Sequence, residues 1–598
     1  MNMIFILGSA LGASLMLVPL VRWLSFRTGR VSKPRQDRWH RQPTPTLGGV
    51  GMLIAFWLAL GLALPLGYQL PHWSLLAGSL LMFSLGLVDD FKRLSPAAKL
   101  IGQLAAASIV VFFGGFTINF FPWPFANLLL TLFWLIGITN ATNLLDNMDG
   151  LAGGVSLIAA CFLGYFFWKL NDTSLMVMVL ALVGSILGFL MFNFPPAKIF
   201  MGDCGSLFLG FTLAGLAIAR NAQASNVFAV LGIPVLIFML PILDTSLVMI
   251  TRLLRGQSPS QGGTDHTSHR LIALGLNERQ VVLILYAVAI VAGLSAAALE
   301  ALDYDLSLGL IPLVLLALLI LTAYLAQLKV VNKSGESGVP LGFTRLLVNL
   351  TYRRNLFELL LDLLLVGTSY YLAYWVRFGM DMTPTSVALY LASWPVALIT
   401  AYLSFYLLGV YRSVWHYTSL VDLVRFALAS LAAGVASWLF LILIPIENRV
   451  YPDAVFGLFA LFLFLGLAGS RASFAFLDRF YQGRQLRSIG QPILVYGVRS
   501  PSLGIILAWL QEQNRTSVFP VGLLDEDQRL WGRDIEGIPV LGGVERIPSI
   551  VEAKAVRGVV ITDLGAPDEE TIQKITDLCR TRGVWVKLIR IDLTDVVE

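Results

Sequence analysis

The feature that most constrains this 598-residue chain is a succession of long apolar runs. Stretches of about 17 to 24 mostly apolar residues, enough to cross a hydrocarbon core roughly 30 Å thick, occur near 2–22, 48–66, 72–88, 99–118, 126–140, 153–169, 174–192, 205–220, 226–248, 281–299 and 308–328. They resume near 356–376, 388–410, 423–446 and 453–474 after a polar interval. A chain built this way is a polytopic α-helical membrane protein with about 15 transmembrane helices. Composition agrees, since 57% of the residues are hydrophobic and only 13% charged, about half the charge of a soluble domain. A soluble enzyme is excluded.

The position of the charges orients the helices. If the N-terminus is external, the first loop carries Arg22, Arg27, Arg30, Lys33, Arg35, Arg38 and Arg41 at or inside its border, whereas 67–71 and 119–125 carry no charge. The positive-inside rule then makes loops 89–98, 141–152, 193–204, 249–280 and 329–355 cytoplasmic. The acidic stretch with Glu300, Asp303 and Asp305 is external. The net charge of +5 is accounted for by these loops, so no nucleic-acid partner is implied. The run at 3–21 has no basic n-region and no small-residue cleavage site, and reads as a retained helix. Cys161, Cys204 and Cys579 are too dispersed for a zinc site or a disulfide framework.

Four segments follow: a membrane module over 1–330, a polar linker over 331–355, a four-helix membrane module over 356–476 and a soluble domain over 477–598. The linker contains Lys333, Ser334, Gly335, Glu336, Arg345, Arg353 and Arg354. In the last segment, Pro492-Ile-Leu-Val-Tyr-Gly, Val518-Phe-Pro-Val-Gly-Leu, Val556-Arg-Gly-Val-Val-Ile and Gly583-Val-Trp-Val-Lys-Leu are short β-type runs separated by helical patterns. They predict a cytoplasmic α/β Rossmann-like domain with a mostly parallel sheet.

The polar residues of the first module cluster at span ends on the cytoplasmic side. Asp89 and Asp90 close the third run; alone they would pass for a solvated helix end. Asn140, Asn143, Asp146 and Asp149 recur every three residues, along nearly one helical face. Asp203 sits in Phe200-Met-Gly-Asp-Cys-Gly-Ser, and the 249–280 loop adds Arg252, Arg255, Asp265, His266, His269 and Arg270. Asp244 lies near the inner end of its span, able to cap a helix or brace the site. Five carboxylates on one small surface repel one another unless a cation neutralises them. Oxygen ligands at a membrane border suit Mg²⁺, with Mn²⁺ as a substitute. The arginines and histidines would face phosphate oxygens. Together these residues describe phosphoryl transfer to or from a membrane-borne partner.

Four signatures carry a family resemblance: Leu87-Val-Asp-Asp-Phe-Lys, Asn140-Ala-Thr-Asn-Leu-Leu-Asp-Asn-Met-Asp-Gly-Leu-Ala, Ile199-Phe-Met-Gly-Asp-Cys-Gly-Ser and Asp265-His-Thr-Ser-His-Arg-Leu. Together with Pro43-Thr-Pro-Thr-Leu-Gly-Gly, they make residues 1 to about 328 resemble the polyprenyl-phosphate N-acetylhexosamine-1-phosphate transferases, bacterial enzymes of the inner membrane. The span count resembles the UDP-N-acetylglucosamine branch more than the muramoyl-pentapeptide branch. The resemblance implies a UDP-sugar and polyprenyl phosphate as substrates, a membrane lipid environment, Mg²⁺ ligated by Asp203, and Asp89 and Asp90 either helping to hold the metal or positioning the lipid phosphate, one of them as a base. It implies Asn143 and Asp146 near the ribose and diphosphate, Asn140 among the substrate-binding residues, and Asp149, Asn193 and Phe200 around uracil. His266, His269 and Arg270 would bind phosphate. The branch typically shows His-x-His-His where this chain has His266-Thr-Ser-His269, one histidine fewer.

Residues 355–598 resemble the N-terminal half of membrane-bound nucleotide-sugar dehydratases and polyprenyl glycosylphosphotransferases. The match rests on Arg354-Asn-Leu-Phe-Glu, Trp375-Val-Arg-Phe-Gly, Gly409-Val-Tyr-Arg-Ser-Val-Trp-His-Tyr-Thr-Ser, Val521-Gly-Leu-Leu-Asp and Gly537-Ile-Pro-Val-Leu-Gly. After the strand at 493–496, Arg499 replaces the second glycine of a dinucleotide fingerprint and Pro501 removes an amide before Gly504. A regulatory, scaffolding or dimerising role is expected for this half, compatible with a homo-oligomer. The competing readings are a transporter or flippase, which would place its ionisable groups at mid-membrane on repeated halves, and an inactive assembly scaffold.

Overall fold

The computed structural model describes residues 2–29, 31–32, 43–221, 227–254, 265–273, 275–301, 355–379, 383–412, 420–443, 451–489, 491–497, 518–535, 538–562 and 569–589. The expected span at 308–328, nearly all of the linker, Arg255, Asp303 and Asp305, and the glycine-loop positions Arg499, Ser500, Pro501 and Gly504 lie outside them. Two compact units divide at Ala472 and Ser473.

The first unit is helical. Its helices are α1 (Asn2–Arg27), α2 (Gly48–Ala63), α3 (Trp73–Lys92), α4 (Pro96–Ser108), α5 (Pro124–Leu145), α6 (Leu151–Lys169), α7 (Thr173–Asn193), α8 (Gly202–Asn221), α9 (Val227–Ile237), α10 (Met239–Leu254), α11 (Thr267–Ala273) and α12 (Glu278–Ala301), then α13 (Asn355–Phe378), α14 (Pro384–Leu407), α15 (Leu420–Leu443) and α16 (Asp453–Ile489). Among the described residues, 11 helices are long and apolar enough to cross a membrane, or 12 if one bent pair counts as a span. The protein is therefore multi-pass. α2 has 16 residues, only about 24 Å of helix.

The bent pair corrects the continuous helix expected over 226–248. Leu231–Ile237 and Met239–Arg252 meet at 78°, because Pro241 has no N–H to offer the Ile237 carbonyl one turn back. α4 also starts before the expected run. Ser95 caps it, accepting a hydrogen bond from the Ala98 N–H (3.3 Å), with Pro96 in the first turn.

α8 is the axis of this module. From Leu207 to Ala219 nearly every side chain is buried, against α2, α3, α5 and α6. Small residues set these distances, as in other membrane helix contacts. Gly78 faces Phe211, Gly210 lies on the α5 backbone at Thr139, and Gly184 and Gly188 of α7 admit α1. A central α8 puts its first turn, with Asp203, in the middle of one end of the bundle. At the other end, Arg220 pairs with Glu300 of α12 (2.6 Å) and lies over the Phe166 ring.

In the second membrane module, α13 carries Tyr370 and Tyr374, whose hydroxyls share Ser393 of α14 at 2.7 and 3.0 Å. Asp362 of α13 pairs with Arg471 of α16 at 2.9 Å.

The second unit begins within the 37-residue α16. Its sheet contains β3 (Gln491–Tyr496), β4 (Val518–Leu524), β5 (Asp534–Ile535), β6 (Ile538–Gly542), β7 (Gly558–Thr562) and β8 (Trp585–Ile589), after the short β1 (Val31–Ser32) and β2 (Thr44–Pro45) of the first unit. The order is β5-β6-β4-β3-β7-β8, parallel except for the β5–β6 hairpin. α17 (Ile547–Lys554) and α18 (Glu569–Arg580) pack on it. This is the expected Rossmann-like α/β domain.

Candidate active site

Three hydrogen-bonded groups form at the end of the bundle where α8 begins. The first is centred on Asp203. Its Oδ1 accepts from Asn143 Nδ2 (3.1 Å) and its Oδ2 from Lys99 Nζ (3.1 Å). The same ammonium pairs with Asp89 Oδ2, whose other oxygen accepts the Leu94 N–H at 2.6 Å. Asn143 also donates to Ser206 Oγ at 2.8 Å. Two carboxylates from α3 and α8 thus share one cation, which offsets their repulsion.

Asp90 has a different task from its neighbour. Its two oxygens accept the backbone N–H groups of Asp203 (2.9 Å) and Cys204 (3.0 Å). It thereby caps α8 from another helix, where orphan amides and the positive helix end favour an anion. Close approach is required: a Cβ on Gly86 would run into the Asp203 carbonyl, and one on Gly202 into the Thr46 carbonyl. The 43–49 loop completes this floor, with Phe200 N–H donating to the Pro45 carbonyl (2.7 Å) and Gly48 N–H to that of Phe200 (2.9 Å). Asn140 is one turn deeper, in a reciprocal amide pair with Gln103 (2.8 and 3.1 Å).

The second group joins the α5–α6 loop to the α7–α8 loop. Asn193 Oδ1 accepts the Gly150 N–H (3.0 Å), while its Nδ2 donates to the Ile199 carbonyl (2.9 Å). Asp149 Oδ2 accepts the Ala197 N–H at 2.8 Å. Gly150 needs its positive φ of 75° to turn the chain into α6. Phe200 and Asp146 are half-buried nearby in sequence, Asp146 at the end of α5.

The third group is the start of α11. Asp244 receives His266 Nδ1 (2.8 Å) and the Thr267 N–H (2.6 Å), so it both caps the helix and orients the imidazole. Arg252 makes two bonds to Asp265, at 2.8 and 2.6 Å. Burial opposes the Asp265 charge, but the guanidinium outweighs it and holds the carboxyl below its ordinary range. Arg270 is fully buried, donating to the Asp265 carbonyl (2.8 Å). Burial, and then the neighbouring His266, push His269 down to about 4. His269 is therefore neutral at pH 7 and can offer phosphate a hydrogen bond but not a charge. In this loop Arg252 is matched by Asp265 and Arg270 braces the backbone through the Asp265 carbonyl. Ser268 donates to Asn147 Oδ1 (2.6 Å), tying this group to the α5–α6 loop.

Lys99, Gln103, Asn147, Arg279 and Tyr286 were not among the sequence candidates. Lys99 had a usable signal, as the one charged residue of α4. Among the described residues, no three His, Cys, Asp or Glu side chains form a metal-ligand group. Asp89 and Asp203 still fit a hard cation. They are oxygen donors already converging on a positive charge, and Mg²⁺ usually takes only one or two carboxylates, with waters and phosphate oxygens completing its shell.

Comparison with known proteins identifies two families and several relatives. Residues 72–221 match glycosyl transferase family 4, and residues 406–589 match a CoA-binding domain. A probable undecaprenyl-phosphate N-acetylglucosaminyl 1-phosphate transferase of Bacillus subtilis is 34% identical over 306 residues, covering 50% of this chain and 85% of the relative. A decaprenyl-phosphate N-acetylglucosaminephosphotransferase of Mycolicibacterium smegmatis is 35% identical, covering 44% and 74%. An undecaprenyl-phosphate alpha-N-acetylglucosaminyl 1-phosphate transferase of Escherichia coli O157:H7 is 29% identical, covering 46% and 78%.

Proposed function

The chain belongs to glycosyl transferase family 4, and from that premise we propose that it transfers N-acetylglucosamine 1-phosphate from the UDP-sugar to undecaprenyl or another polyprenyl phosphate, initiating a lipid-linked cell-surface glycan. An oxygen of the lipid phosphate forms a bond to the β-phosphorus. The bond from that phosphorus to the bridging oxygen breaks, and UMP leaves with the electron pair. A phosphate monoester with a second pKa near 6 is already largely dianionic at neutral pH, so positioning and charge neutralisation outweigh general-base catalysis.

The observation that carries this reading is the convergence of Asp89 and Asp203 on Lys99, with Asn143 fixing the second carboxylate. Asp203 and Asp89 would hold Mg²⁺. The ion, when bound, supplies positive charge to the phosphate oxygens of the transition state. Asp90 acts behind them as a positioning residue, because both its oxygens are directed at the start of α8. Asp146 and Asn140 line the approach on α5. Asp149, Asn193 and Phe200 form the nucleoside end, and His266, oriented by Asp244, and His269 face phosphate, with Arg270 bracing them. The basic residues of the 22–41 segment support a cytoplasmic orientation for this face in a bacterial inner membrane. The second membrane module and the Rossmann-like domain serve a regulatory or scaffolding role.

The test is to incubate the purified full-length protein with Mg²⁺, undecaprenyl phosphate and a panel of UDP-sugars, following UMP. UDP-N-acetylglucosamine should give the fastest release together with a lipid-diphosphate-sugar. No UMP with any sugar would overturn the transferase reading, and faster release with another sugar would reassign the donor.

A further inference from the structure

Helix α12 touches both loops of the nucleoside end through residues that nothing in the transfer chemistry explains. Tyr286 donates its hydroxyl to the Gly150 carbonyl at 2.6 Å, and Arg279 donates Nε to the Pro195 carbonyl at 2.9 Å. The two are seven residues apart, two turns along one face of the helix. Their targets stand next to the residues that lock the two loops together. Gly150 carries the N–H taken by Asn193, and Asp149 before it accepts from Ala197. Pro195 lies between Asn193 and Ala197.

Space for the tyrosine is built into α6. A Cβ on Gly154 would collide with the Tyr286 ring and its hydroxyl, so α6 has no side chain where the phenol enters. Arg279 is exposed and lines a cavity of about 410 Å³ with Pro195, Pro196, Ile272, Leu276 and Asn277. Its bond to Pro195 is thus made at the rim rather than in the packed interior.

We infer that Tyr286 and Arg279 are positioning residues for the nucleotide: α12 holds the α5–α6 and α7–α8 loops at the separation that binds the UDP moiety. The inference rests on the proposed nucleoside role of Asp149 and Asn193. Neither residue touches the reacting phosphorus. Their loss therefore weakens donor binding without slowing the bound complex, whereas a defect in folding would lower stability and activity together.

Tyr286→Phe keeps the ring and removes one hydrogen bond. It should raise KM for UDP-N-acetylglucosamine roughly fivefold, the effect of one such bond, with kcat, KM for undecaprenyl phosphate and thermal midpoint near wild type. Arg279→Ala, at an exposed position, should do the same, and Arg279→Lys should recover part of the loss. Unchanged donor KM in both removal variants overturns the inference, as does a fall in kcat or thermal midpoint without a KM shift. Asp149→Asn and Asn193→Ala separate the premise from the inference. If these leave donor KM unchanged, the nucleoside assignment falls; if they raise it while Tyr286→Phe and Arg279→Ala do not, only the role of α12 falls.

Discussion

Two sets of charges in the membrane modules differ in a way that separates chemistry from architecture. In the second module Asp362 and Arg471 pair at 2.9 Å with side-chain exposures of 0% and 2%. In the first, Asp203 and Lys99 meet at 3.1 Å while remaining 35% and 30% exposed, and the lysine is shared with Asp89. The closed pair links α13 to α16 and presents no open face. The open cluster has carboxylate oxygens that a ligand can reach, around a cation that could be supplemented or displaced. Intramembrane charge alone thus marks a candidate site; access together with an unequal count of acids and bases marks a reactive one.

The largest expected effect that sharpens this contrast is chelation of divalent cations. EDTA should lower UMP release at least roughly hundredfold, Mg²⁺ should restore it, and the thermal midpoint should hardly move, since the Asp362–Arg471 pair needs no ion. Retained turnover in EDTA would remove the metal from the open cluster.

The closed pair should respond in stability. Asp362→Ala removes the carboxylate that pairs with the buried Arg471 and should cost about 3–5 kcal/mol, read by thermal unfolding in detergent. The double variant Asp362→Leu/Arg471→Met should recover most of it. A wild-type midpoint for Asp362→Ala would break the distinction between the two clusters.

A smaller effect is set by pH. The unfolded chain takes a proton at His269 near 6.5, the folded protein only near 4. Between these values the unfolded state binds more protons, so stability falls as pH is lowered, by on the order of 1 kcal/mol from pH 7 to 5.5. His269→Gln should remove that part of the slope. The same acid sensitivity in the variant would show that His269 titrates normally.

What was legible in the sequence follows from the kind of interaction involved. Apolar length alone predicts most of the helices, because lipid requires it. The bend at Phe238 needed Pro241 to be weighed against its partner carbonyl. Asp89, Asp203 and Asn143 stand out because acids and amides are costly among apolar residues. Lys99 leaves a weaker mark: it is the one charge on α4, but a lysine at the start of a span also passes for an interface anchor. Asp90, Arg279 and Tyr286 bond to backbone atoms, which leave no mark in residue type, so their roles appear only once the helices are packed.

The central claim is that Asp203, held by Asp90, Asn143 and Lys99, belongs to the phosphoryl-transfer centre. The most direct measurement is UMP release by purified Asp203→Asn beside wild type, with Mg²⁺, undecaprenyl phosphate and UDP-N-acetylglucosamine. The account predicts a fall of at least roughly hundredfold with an unchanged thermal midpoint. Near-normal turnover by the variant would contradict it.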